Sequence, residues 1–233
     1  GEEEPGQTWV DASGVARDAE GRPVRYGVSL LNDCKYGFDM KSHSGYVDPD
    51  ALVDVRMTLL RSPAYAFHDP RPFDPDETYT FIDQGEQRFC YWVLPHLGSW
   101  REAGTVRAAH ERNAPPLWVM TRSHEGGLPS TWSLLECAED GVEVGAVKLA
   151  ETGSGLVVRL HETAGRDSTA RVRLPLWGCE LTVPMGHHEV KTLLLIRDGS
   201  RLRASEVNLL EEAVDGGFWQ EVELGFGRGW EAV

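Results

Sequence analysis

The densest run of reactive side chains lies between residues 30 and 39, Leu-Leu-Asn-Asp-Cys-Lys-Tyr-Gly-Phe-Asp. Asp33, Lys35, Tyr36 and Asp39 bring two acids, a cation and an amphipathic ring into one short stretch. That set suits holding sugar hydroxyls or bracing a neighbouring domain. A local reading stands level with it, because Asn and Asp after a strand make Asx turns and Gly37 can supply a left-handed residue. His96, in Leu94-Pro95-His96-Leu97-Gly98, sits where an apolar strand ends, and strand ends gather sites. A histidine bonded to a backbone carbonyl is an equal reading there.

Other constellations are weaker. His187 and His188 are neighbours, so on a strand they face opposite ways and cannot easily share one metal. No further His or Cys stands at ligand spacing, which leaves a solvated loop as the expectation. Asp33, Asp39, Asp69, Asp74, Asp76, Asp83 and Glu86 fall in loop-like stretches. A glycosidase needs two such carboxylates about 5 to 10 Å apart, and spacing along the chain does not show that. There is no GxSxG elbow, phosphate loop or dinucleotide glycine pattern. The residues by themselves form no complete catalytic apparatus.

The elements that must position these residues are mostly strands. Val55-Arg56-Met57-Thr58-Leu59-Leu60-Arg61 begins with alternation. Phe89-Cys90-Tyr91-Trp92-Val93-Leu94 is apolar on both faces and predicts a central strand covered on two sides, with Cys90 buried in it. Residues 156–160 and 170–174 set apolar residues opposite arginines, predicting one solvated face each. Residues 181–183 and 190–196 continue the pattern. Asp140-Gly141, Gly153-Ser154-Gly155, Asp198-Gly199 and Gly216-Gly217 supply the positive φ angles of hairpin turns. One short helix is expected, opened by a capping box from Ser99 to Glu102 and stopped before Pro115-Pro116.

Length and charge set the limits. The 233 residues carry a formal charge of −14, which argues against nucleic acid or an anionic membrane as partner. No apolar run approaches the roughly 20 residues that span a bilayer. The four cysteines are far apart without CxxC pairing, which fits a reducing cytoplasm better than a disulfide framework. The start, Gly1-Glu2-Glu3-Glu4, lacks an initiator methionine and raises the expectation of a piece of a longer protein. A composition change near residues 126–129 predicts two packed β units, 1–128 and 129–233.

Several runs together resemble the C-terminal part of glycoside hydrolase family 38, the retaining, metal-dependent α-mannosidases, in its bacterial and cytosolic branch. They are residues 26–37, Leu59-Leu60-Arg61-Ser62-Pro63, Asp83-Gln84-Gly85-Glu86 leading to Pro95-His96, Trp100-Arg101-Glu102-Ala103-Gly104, and residues 155–162. The resemblance implies an all-β chain: part of a large antiparallel sandwich of the galactose-mutarotase type, then a smaller terminal β sandwich. It places the divalent metal, zinc, and an aspartate nucleophile in an N-terminal α/β domain to which nothing in this chain corresponds. No cofactor is therefore expected here, and the chain alone should not hydrolyse mannosides. The implied partners are that catalytic domain and, in the intact enzyme, a mannose-containing oligosaccharide. By position the resemblance makes Arg61 a substrate contact, with Asp33, Lys35, Tyr36, Asp39, Glu86 and His96 as further substrate or interdomain candidates. Another class of protein stays open, a stand-alone carbohydrate-binding sandwich stacking sugars on Trp92, Trp100, Trp118, Trp132, Trp177 or Trp219. Core packing is the expected fate of most of these.

Overall fold

The computed structural model describes residues 3–42, 53–64, 72–127 and 129–225. The chain divides into two compact units, Gly1–Trp118 and Val119–Val233, so the division falls ahead of the composition change at 126–129. Both units are built from antiparallel sheets, and the one α-helix among the described residues lies in the first.

The first unit contains β1 (Glu4–Pro5), β2 (Trp9–Arg17), β3 (Pro23–Asn32), β4 (Gly37–Ser42), β5 (Val53–Met57), β6 (Tyr91–Leu97) and α1 (Thr105–Asn113). They form two three-stranded sheets, ordered β1-β4-β5 and β2-β3-β6. Strand β5 ends at Met57, so Leu59, Leu60 and Arg61 lie beyond it rather than within a strand. In the second sheet Tyr26 faces Leu97, Val28 faces Pro95 and Leu30 faces Val93. Directly opposed residues share a face, and residues two apart along a strand do as well. One face therefore carries Val10, Ala12, Tyr26, Val28, Leu30, Tyr91, Val93, Pro95 and Leu97, with no charge among them. Val93 and Leu97 are 59% and 74% exposed.

This corrects the expectation of a central, doubly covered strand at 89–94. Strand β6 is an edge, its alternate residues are exposed, and Cys90 just before it is exposed rather than buried. Among the described residues only the opposite face of this sheet, against the α-helix of this unit, has a layer over it. Asp33 N–H bonds the Cys90 carbonyl (3.3 Å) and Gly98 N–H the Arg25 carbonyl (2.9 Å). These two bonds fix the alternation of the ladder. The backbone groups of Tyr91, Val93 and Leu97 point to the free side, and there Pro95 contributes no N–H.

Helix α1 lies against β3 and β2 on the other face. The capping box forms as a turn, with Ser99 N–H donating to Glu102 Oε2 (2.7 Å). The helix itself opens only at Thr105, after Gly104 in the left-handed region (φ 65). That glycine resets the chain direction after the first turn, so the box and the helix are separate.

The second unit contains β7 (Glu136–Cys137), β8 (Val142–Leu149), β9 (Leu156–Glu162), β10 (Ser168–Leu174), β11 (Cys179–Met185), β12 (Val190–Asp198), β13 (Arg201–Val207) and β14 (Trp219–Glu223). A five-stranded sheet, β14-β13-β12-β9-β8, and a three-stranded sheet, β11-β10-β7, enclose the core. Val158, Leu160, Leu193, Leu195 and Leu202 meet Val172, Leu174, Leu181, Val183 and Met185 in it. Strand β10 alternates as its sequence requires, arginines outward. Strand β9 does not: Val157 and Val158 are both fully buried, against the expectation of a solvated face. The face that Val157 shares with Lys148 is where a distant turn attaches. The turn after β13 brings Glu211 to Lys148 (2.8 Å), which stands opposite Val157 in the ladder. The glycine turns at 140–141, 153–155, 198–199 and 216–217 all join strands, and Gly141, Gly153, Gly155, Gly199 and Gly216 take positive φ.

Glu162, 1% exposed at the end of β9, stitches two turns of this unit. Its Oε1 accepts the Ala164 N–H (2.8 Å). Its Oε2 accepts those of Gly165 (2.9 Å), Arg166 (3.2 Å) and His188 (2.8 Å). Burial acts to raise this carboxyl, but the four backbone donors outweigh it and hold it below its ordinary value.

Candidate functional site

The run that opens the chemistry folds around Asn32, which is 1% exposed at the end of β3. Its Oδ1 accepts the backbone N–H groups of Cys34 (3.1 Å) and Lys35 (2.6 Å), and its Nδ2 donates to the Gln7 carbonyl (2.8 Å). This is the Asx turn that the residue types allowed. Asp33 Oδ1 accepts the Cys90 N–H (2.9 Å), and Lys35 Nζ lies 4.8 Å from the centre of the Phe89 ring. Hydrogen bonds from the Cys90 backbone and the Cys34 thiol hold the Asp33 carboxyl below its ordinary value. Tyr36 projects outward, 67% exposed.

The remaining candidates do not join this loop. Asp39, on β4, meets Arg56 at 3.4 Å across the ladder, and its other carboxylate oxygen is buried without a partner. Glu86 pairs with Arg88 (2.6 Å) at the surface. Arg61 is exposed, with Glu3 at 3.9 Å, a contact of the kind worth little in water. Asp69 lies outside the described residues. His187 and His188 occupy the turn between β11 and β12, both exposed. Among the described residues no group of three or more His, Cys, Asp or Glu could hold a metal ion, so no catalytic step through a metal is derived for this chain. Trp92, Trp100 and Trp177 are half-buried, whereas Trp118, Trp132 and Trp219 are 82%, 50% and 62% exposed.

His96 reaches a cluster that sequence spacing did not reveal. Its side chain is 6% exposed and its Nε2 lies 2.7 Å from Asp11 Oδ2, a residue 85 positions away on β2. Ser29 Oγ, fully buried on β3 between them, donates to the same Asp11 oxygen (2.8 Å) and lies 3.2 Å from His96 Nε2. Thr105 Oγ1, at the start of α1, is 2.8 Å from Ser29 Oγ, and Ser13 Oγ donates to Asp11 Oδ1 (2.5 Å). Burial acts to raise the Asp11 carboxyl, but hydrogen bonds from Ser13, His96 and Ser29 outweigh it and set it below its ordinary value. Ser, His and Asp together invite a nucleophile reading. The geometry refuses it, because general-base activation needs separate ring nitrogens for acid and serine. Here one nitrogen meets both, and Nδ1 is buried without a partner. The cluster instead ties β2, β3, β6 and α1 together. The alternation of Trp9, Asp11 and Ser13 against Leu31, Ser29 and Gly27 was the one sequence signal that could have located it.

These observations define a two-unit, all-β protein in which the polar candidates named above hold loops and strands. No family model matches the chain. Curated relatives do. It is 33% identical to human "Alpha-mannosidase 2C1" over 144 residues, 60% of this chain and 11% of that protein. Over 170 residues it is 27% identical to "Alpha-mannosidase G" of Dictyostelium discoideum, 70% of this chain and 12% of that one. A solved α-mannosidase from Enterococcus faecalis matches 82% of this chain and 21% of its own, with a TM-score of 0.57 at 20% identity. The chain is a homologue of one part of the α-mannosidases, and its matched region spans about an eighth or less of the curated relatives.

Proposed function

We propose that this chain is the non-catalytic β region of a retaining, metal-dependent α-mannosidase of glycoside hydrolase family 38. In this reading it braces the catalytic α/β domain and shapes the edge of the substrate cleft. The observation that carries it is the apolar sheet face of the first unit, over which the described residues place no second layer. Sheets are stable when an apolar face is buried against a second layer. Here nine apolar residues from Val10 to Leu97 share a face without a charge. Meanwhile the described core of this unit has only Leu31, Phe38 and Ala109 below a tenth exposed. Surplus apolar surface together with a small core fits a sandwich completed by chain from elsewhere in the enzyme.

The mannose-containing oligosaccharide, and the zinc or other divalent ion, belong in this reading to the catalytic domain. A cytoplasmic location is consistent with the α-mannosidase reading, and no helix among the described residues is long and apolar enough to cross a membrane. Arg61, exposed beyond β5, is assigned the substrate-facing contact. In the enzyme carrying both parts, Arg61→Ala should lower mannoside turnover at least about tenfold, with thermal unfolding unchanged. Equal turnover would remove the cleft role. Val93→Asp with Leu97→Asp should lower the yield of assembled enzyme, and unchanged assembly would remove the bracing role.

A further inference from the structure

We infer that Cys34 and Cys90 form a dithiol modification site, closing to a disulfide when a small-molecule disulfide such as oxidised glutathione is supplied. No disulfide joins the four cysteines in this structure, and Cys34 and Cys90 are the two that are exposed. They lie 56 positions apart in sequence but are brought together by the end of one ladder. Asp33 is the residue opposite Cys90, with its N–H on the Cys90 carbonyl (3.3 Å) and its carboxylate on the Cys90 N–H (2.9 Å). A directly opposed, hydrogen-bonded pair has its Cα atoms about 5.5 Å apart. Cys34 is the next residue, its Cα about 3.8 Å from that of Asp33, and a bridge needs the two cysteine Cα atoms within about 6.8 Å.

In an ideal strand Cys34 would point away from Asp33. The Asx turn at Asn32 breaks that alternation by capturing the N–H groups of Cys34 and Lys35. As a result both thiols stand against the same Asp33 carboxylate. Cys34 Sγ also lies 3.8 Å from the carbonyl of Arg88, in the irregular stretch that leads into Cys90. The other pair cannot do this: Cys137 on β7 and Cys179 on β11 flank β10 from opposite sides, opposite Val172 and Leu174.

The chemistry balances without a metal or cofactor. The thiolate of one cysteine attacks a sulfur of oxidised glutathione and expels one glutathione thiolate. The second cysteine then attacks the mixed disulfide and expels the other. Two protein thiols are oxidised, one glutathione disulfide is reduced to two thiols, and the two protons pass to the departing glutathiones. Asp33 acts as a brake on the first step. Its carboxylate, and then burial, push the Cys34 thiol above its ordinary value, so little of it is thiolate at neutral pH. Closure would tie the loop that carries Lys35 and Tyr36 to the segment leading into β6.

The test is incubation of the whole chain with oxidised glutathione, acid trapping, alkylation and peptide mapping by mass spectrometry. The expected product joins the Cys34 and Cys90 peptides with loss of two hydrogens, while Cys137 and Cys179 are recovered alkylated. Cys34→Ser and Cys90→Ser should each leave the remaining thiol as a stable glutathione adduct. Asp33→Asn keeps an acceptor for the Cys90 N–H but removes the charge, and should speed closure at neutral pH by at least about threefold. Glutathione held separately on Cys34 and Cys90 in the unsubstituted chain overturns the inference. So does closure in Asp33→Asn that is no faster.

Discussion

Replacing Glu162 by Gln removes one charge and leaves the shape of the second unit's most enclosed polar group intact. Four backbone N–H groups converge on this carboxylate at 2.8 to 3.2 Å. Glutamine can still accept at one position, but its amide NH₂ would then face three donors or force the carbonyl away from Ala164. Hydrogen bonds to a charged group contribute about 1.5 to 3 kcal/mol each, and an orphaned buried donor costs about 1 to 3 kcal/mol. Arg166 and His188 are exposed residues whose N–H groups can turn to water, so the loss is smaller than three full bonds. The balance is a destabilisation of about 2 to 4 kcal/mol, or a urea midpoint lower by about 1 to 2 M at a slope near 2 kcal/mol per M.

The pH dependence separates this reasoning from simple misfit. Glu162 has a folded value below the ordinary 4.5, so its stabilisation is fully present above that value. The contribution is lost as pH falls through the folded value. Urea unfolding of the whole chain, with hydrogen exchange at β9 amides to identify the second unit, should show the full gap at pH 7. Below about pH 4.5 the gap should close progressively. A gap under about 1 kcal/mol at pH 7, or one of equal size at low pH, would refute the argument.

Two further outcomes concern the first unit and one the whole chain. A methyl group on Gly27 would lie 2.5 Å from His96 Cε1 and 2.7 Å from Ser13 Oγ, so Gly27→Ala should cost about 1 to 3 kcal/mol in thermal unfolding. The cost should shrink in a His96→Ala background, and a purely additive pair would show that the ring is not the obstacle. Asn32→Ala strips acceptors from two N–H groups and a donor from Gln7, and should destabilise by about 2 to 3 kcal/mol in urea. Titrating mannobiose into the chain alone should leave tryptophan fluorescence unchanged, and a saturable change would favour the sugar-binding module.

Much of the second unit was legible because its strands alternate within one closed sandwich. The sequence of β10 states its inward and outward faces directly, and every glycine-marked turn joins the strands it separates. Strand β9 was misread because Lys148, opposite Val157, is held by Glu211, about fifty residues later, which no local pattern announces. Strand β6 was misread for the opposite reason: an apolar face signals burial only where a layer covers it, and the described residues place none over this one. The Asx turn at Asn32 was readable since its chemistry is local. The Asp11–His96 contact was not, because it depends on the register of three strands. Arg61 was placed by resemblance alone, and its surroundings add only the distant Glu3.

Pro95 sets how this chain can associate. An exposed apolar edge strand is normally a template on which further copies hydrogen-bond in endless succession. On the outward side of β6 the ladder of donors is broken at its third position, so an incoming strand meets a gap it cannot bridge. The side-chain face beside that edge has no such interruption. Contact through a face saturates once a single complementary layer is in place, whereas growth along an edge does not. The proline therefore favours one-to-one partnership over fibre growth, and a chain with Pro95→Val should lose that protection first at high concentration.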